Sequence, residues 1–173
     1  MNRLYLAMFF ACIVSHCFSQ SRDSDQLKDM INISAEKYIL SELEWIKEKN
    51  IPKERYGDQF LFERTNLPTD FKFNDSIVRK YNVGILDNVA KFGRKKLKEG
   101  ILMFEFHPIC INRNEIFIGI SSITLIKIGR DLSISRSPEG DFVIYRFCYS
   151  CEKQEWKLVG IRPSYSENFI LVE

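Results

Sequence analysis

The stretch DQLKDMINISAEKYILSELEWIKEK, residues 25–49, contains neither glycine nor proline. Leu27, Ile31, Ala35, Ile39, Leu43 and Ile46 recur along it every three or four residues, which lays one apolar stripe along one face of a helix. Tyr38 and Trp45 widen the face expected to be buried. Asp23 or Ser24 offers an N-cap oxygen, and Asp25 lies favourably near the positive end of the helix dipole. Asn50-Ile51-Pro52 ends the run, because Pro52 has no N–H to continue it. A helix of this length spans about 37 Å at 1.5 Å per residue, so it needs an extended partner surface, and a sheet supplies one.

The second half of the chain reads as that sheet. Residues 101–111 and 115–128 flank Asn112-Arg113-Asn114, residue types that tolerate positive φ, and so predict a hairpin. A strand over Asp131 to Arg136, a turn at Pro138-Glu139-Gly140, and a pairing of 142–149 with 155–161 across Ser150 to Gln154 continue an antiparallel meander. Phe169 to Val172 is a candidate last edge strand. In the broken region before it, Gln59 to Arg64, Phe71 to Phe73 and Ser76 to Val83 look like short strands. A basic helix over Asn88 to Glu99 is expected, capped by Asp87 and stopped by Gly100. The expectation is an α+β fold: a long N-terminal helix packed on a curved antiparallel sheet, with a second short helix. This order of elements resembles the cystatin-like and nuclear-transport-factor-like layouts. Those folds carry enzymes and pure binding modules alike, so the resemblance implies an architecture and no activity.

The 173 residues carry 25 Lys+Arg against 23 Asp+Glu, and 45% are hydrophobic, with 14 Phe and 7 Tyr. There is apolar mass for a core, which excludes disorder, and the near-balanced charge argues against a dedicated nucleic-acid binder. Arg3 precedes an uninterrupted apolar run, Leu4 to Val14, followed by Cys17-Phe18-Ser19. That is the pattern of a signal peptide over residues 1–19, cut before Gln20, leaving one domain from 20 to 173 that is exported to the periplasm or the extracellular space. No later apolar run is long enough to span a bilayer, so the mature domain is expected to be soluble.

The mature chain would keep Cys110, Cys148 and Cys151, with His107 as its single histidine. Cys148-Tyr149-Ser150-Cys151 has the C-x-x-C spacing of redox pairs, but it falls at a hairpin tip and not at a helix N-terminus that would lower a thiol pKa. A structural disulfide, for which Cys110 with Cys148 is the preferred pair, competes with labile thiol chemistry and with a Cys₃His metal site. Glu105 and His107, two apart on one strand, share a face and are candidates for a general acid–base pair; the alternative is a packed, hydrogen-bonded histidine beside Met103 and Ile109. Lys91, Arg94, Lys95, Lys96 and Lys98 form a basic patch, either a solvated helix face or a contact for an anionic envelope surface. Tyr145, Phe147 and Tyr149 alternate onto one face near Trp156, as a core row or, if exposed, a contact surface. No Gly-rich nucleotide loop is present, so no cofactor is expected. The reading favours an exported non-catalytic module for a protein, peptide or glycan over a small exported enzyme or an envelope-associated structural protein.

Overall fold

The computed structural model describes residues 2–51, 59–87, 92–129, 131–136 and 142–172, with side chains from Asp25 onward except at Arg136. Helix α1 (Asn2–Glu48) leads into β1 (Phe60–Glu63), α2 (Asp75–Tyr81), β2 (Val83–Leu86) and α3 (Arg94–Glu99). Then follow β3 (Ile101–Phe106), β4 (Cys110–Asn112), β5 (Glu115–Ile128), β6 (Asp131–Arg136), β7 (Val143–Ser150), β8 (Glu155–Pro163) and β9 (Ile170–Leu171). The helix begins far upstream of the expected Asp25, because nothing from Asn2 to Glu48 is glycine or proline and the apolar run at its start is itself helix-compatible. The turn expected at Pro138 to Gly140 and the start of the basic helix at 88–91 lie outside the described residues.

One sheet runs in the order β2-β1-β3-β5-β7-β8-β9, with β4 and β6 also on β5. The fourteen-residue β5 is its spine. Along one edge β5 holds β3 through residues 120–125 and β4 through 115–117; along the other it holds β7 through 115–120 and β6 through 123–128. The expected antiparallel pairing holds from β3 to β9. It fails at the other end, where β1 lies parallel to both β2 and β3, so the sheet is mixed. Parallel neighbours need crossovers, and right-handed crossovers that run outward and then back place their helices on opposite faces. That is where they lie: Ile77 of α2 joins the core beneath α1, and Leu97 of α3 joins a second apolar cluster on the far face.

The expected strand over Ser76 to Val83 is thus mostly helix α2. Ile77-Val78 reads as β by its side chains, but Asp75 in the first turn, an i,i+4 Asp75–Arg79 pair and left-handed Asn82 at the C-cap favour a short helix. Phe71 and Phe73 form no strand. They are nonetheless buried, because Phe73 packs 5.1 Å from Phe62, whose ring also meets Phe104 and Phe106 at 5.3 and 5.2 Å.

Met30, Ile31, Ala35, Tyr38 and Ile39 of α1 lie against the sheet, with Tyr38 edge-on to Phe104 at 5.3 Å. Beyond that point the buried face turns off the predicted stripe. Leu43 and Trp45, expected to be buried, are exposed, while Glu42 faces inward. Asn32, also buried, accepts from the Asn74 N–H at 2.9 Å and donates to the Lys28 carbonyl at 2.7 Å, which ties α1 to the start of α2. Among the described residues no helix is long and apolar enough to cross a membrane.

Candidate functional site

The expected Glu105/His107 pair lies on the sheet face away from α1, and a third side chain completes it. Ser121 Oγ is 2.9 Å from His107 Nε2 and 3.2 Å from Glu105 Oε1, while the imidazole and carboxylate are 4.0 Å apart. Glu105 is 6% and Ser121 8% exposed, while His107 is half-buried with its ring edge-on to Phe142 at 4.6 Å. Gly119 makes room for that contact, since a Cβ there would meet Phe142 at 2.7 Å and His107 Cβ at 3.3 Å.

Ser121 was not legible from the turn. Counting back from Asn112–Glu115 pairs Cys110 with Phe117, a register that would continue to put Glu105 opposite Ser122. Instead Glu105 lies opposite Ser121, one residue slipped. The slip occurs where β3 ends and Pro108 cannot donate to a ladder, and a single extra residue moves side chains to the other face. Ile109, expected beside Met103, accordingly packs with the main core while Met103 joins the second cluster.

The proton count determines what this group can do. A serine hydroxyl has one proton, and Ser121 donates it to Glu105, so His107 Nε2 must be the donor in its own bond to Ser121. Nucleophilic catalysis needs the reverse: serine donating to the imidazole, and the carboxylate holding the other ring nitrogen. Here the hydroxyl stands in the middle, between the imidazole and the carboxylate.

The three cysteines are free thiols, which corrects the expected Cys110–Cys148 disulfide. Cys110 lies opposite Phe117 on one edge of β5, and Cys148 lies opposite Glu115 on the other edge. They are therefore two strand spacings apart, roughly 10 Å, beyond the ~7 Å between Cα atoms that a disulfide tolerates. Cys148 Sγ is 3.7 Å from Glu115 Oε1, which is itself held by Arg146. Burial, assisted by the Glu115 charge and opposed by Arg146, pushes the Cys148 thiol above its ordinary range. Cys151 is exposed in the β7–β8 turn. A raised, partly buried thiol beside a carboxylate is the opposite of an activated one. Among the described residues no three His, Cys, Asp or Glu side chains gather as metal ligands.

The basic patch is exposed. Arg94, Lys95, Lys96 and Lys98 point away from buried Leu97, with Lys95 4.0 Å from Glu99 and Lys96 over the Phe92 ring; Lys91 lies outside the described residues. The aromatic row divides. Tyr145 and Phe147 are core side chains, and the Tyr145 phenol is pushed far up by burial and then by the charge of Glu42. Only Tyr149 and Trp156, 5.3 Å apart at the hairpin end, retain exposed area. Compared with family models, characterised proteins and solved structures, the chain matches none.

Proposed function

We propose that this chain is an exported, non-catalytic interaction module. The observation that carries the reading is the order imidazole–hydroxyl–carboxylate at His107, Ser121 and Glu105, which uses the one serine proton internally and leaves no activated nucleophile. The raised Cys148 thiol points the same way. The apolar run Leu4 to Val14 behind Arg3 supports export to the periplasm or the extracellular space. A long helix lying on a sheet supports a cystatin-like or nuclear-transport-factor-like layout, with the parallel β1 and β2 as a departure from it.

Reactive-residue profiling tests the reading. A fluorophosphonate should leave Ser121 unlabelled, and iodoacetamide should react with Cys148 and Cys151 no faster than with a free cysteine. Crosslinked partners recovered from the producing cell should be the same for a variant carrying His107→Asn, Ser121→Ala, Cys148→Ser and Cys151→Ser. Labelled Ser121, or a hyper-reactive thiol, would instead establish the enzymatic alternative. Recovery of the chain only from the cytosol would remove export.

One observation favours a second reading, attachment to an anionic envelope surface. Four exposed cations lie within five residues of α3, and among the described residues only Glu99 pairs with one of them. Co-sedimentation with anionic vesicles should then fall steeply with salt, and Lys95→Gln/Lys96→Gln/Lys98→Gln should abolish it. Salt-independent or absent binding rejects the attachment.

A further inference from the structure

Strand β6 departs from the way sheet edges are usually protected. Among the described residues its only strand partner is β5, so within them the outward N–H and C=O groups of alternate residues meet no second ladder. Such edges are normally blunted by proline, a bulge or a central charge. Asp131-Leu132-Ser133-Ile134-Ser135-Arg136 has none of these within its four middle residues, and its pairing with β5 runs without a register shift. Leu132 is 49% and Ile134 42% exposed. Ile134 lies opposite Leu125 and Leu132 opposite Lys127, so both project on the face of the second apolar cluster, the face covered by α3. The cluster ends in mid-surface there, with two large aliphatic side chains at its margin.

We propose that β6 is the seam of a homodimer, in which two copies pair antiparallel about a two-fold axis through Ser133 and join their sheets into one. A two-fold axis normal to the sheet keeps like faces together, which restricts the register to pairs whose numbers sum to an even value. The register centred on Ser133 sets Leu132 opposite Ile134 of the second copy and Ile134 opposite its Leu132. Both exposed aliphatics of each copy are thereby covered by the other's. The same register sets Asp131 of one strand opposite Ser135 of its partner, so no charge falls in the middle of the seam. A second copy fits this edge better than a charged partner would, because the four interior residues offer no charge to complement. The area involved is small: six residues of backbone edge with the exposed parts of two side chains per copy, at the low end for specific interfaces. The dimer is accordingly a micromolar one, and it stands whether or not the proposed function does.

The test uses the full chain, by sedimentation velocity from ~1 to ~100 µM and by directed crosslinking. Ser133→Cys places two thiols across the axis, ~4.5–5.5 Å apart at Cα, which mild oxidation should close to a disulfide between the two copies, identified by peptide mass. Ser135→Cys is the register control. Its two copies would lie roughly 13 Å apart along the strands, four residues at 3.3 Å each, and should not crosslink. Ile134→Lys should weaken association at least tenfold while leaving the circular dichroism spectrum and melting temperature of the monomer unchanged. A chain that stays monomeric across this range, a Ser133→Cys variant that does not close, or equal crosslinking at 133 and 135 would each overturn the proposal.

Discussion

Ser121→Ala separates a structural hydrogen-bonded unit from a catalytic one by its effect on stability. The substitution removes the donor to Glu105 Oε1 and the acceptor for His107 Nε2 together. Glu105 is 6% exposed, so water cannot readily replace the lost hydroxyl. A hydrogen bond to a charged group contributes about 1.5–3 kcal/mol, and the half-buried imidazole, which water reaches, adds little. The expected cost is therefore about 2 kcal/mol. With a urea dependence of about 1–3 kcal/mol per M, the unfolding midpoint should fall by roughly 1 M. The decisive measurement is the double-mutant cycle with Glu105→Met. Removing both partners leaves no carboxylate to satisfy, so the double variant should be at least ~1 kcal/mol more stable than the sum of the single costs implies. A Ser121→Ala midpoint within error of the wild type, or additive costs, would refute the reasoning.

Three further outcomes are expected. Alkylation of Cys148 should be slower than that of exposed Cys151 near neutral pH and keep accelerating above pH ~9, because its thiol is held above the usual range; a plateau below that pH would contradict the burial argument. Tyr145 keeps its proton in the folded state at pH values where an unfolded tyrosine has lost it. Its contribution is present below the ordinary pKa of 10.0 and is lost as pH rises beyond it, by up to about 1.4 kcal/mol per pH unit, so Tyr145→Phe should flatten the alkaline limb of a stability–pH curve. Asn32→Ala leaves the Asn74 N–H without its acceptor and should cost about 1–2 kcal/mol in chemical denaturation, while Asn32→Asp, which retains an oxygen there, should cost less.

The parts of the fold legible in the sequence are those governed by local periodicity. The packed stretch of α1, the β5 hairpins and the final edge strand follow from spacing alone, and the turn at Asn112 to Asn114 follows from residues that tolerate positive φ, as Arg113 does at 54°. The rest depends on relations between distant residues. Trp45 has the spacing of a buried residue but is 44% exposed while Glu42 takes the inward position, and a helical pattern does not encode which of its flanks the sheet will cover. The parallel pairing of β1 follows from crossover geometry, and Ile77-Val78 is β by propensity yet helical by its caps. At the candidate site Glu105 and His107 were legible from their spacing. Ser121 was not, because the slip at Pro108 changes which serine, 121 or 122, stands beside them. The preferred disulfide failed for a related reason: strand membership says nothing about which edge of β5 a cysteine occupies.

The tie between the two ends of the core also bears on synthesis. Gln26 donates to the carbonyl of Gln154, 128 residues later in the chain, and Trp156, Leu158 and Ile161 of β8 pack into the core that α1 covers. At 5–20 residues per second a ribosome takes roughly 6–26 s to cover that distance. Throughout that interval the surface that the apolar stripe of α1 covers is incomplete: Asn74 and Phe104 are translated earlier, β8 only at the end. The nascent chain thus spends its first seconds as an amphipathic helix open to any chaperone or targeting factor that recognises one, and translation of the last hairpin completes its burial.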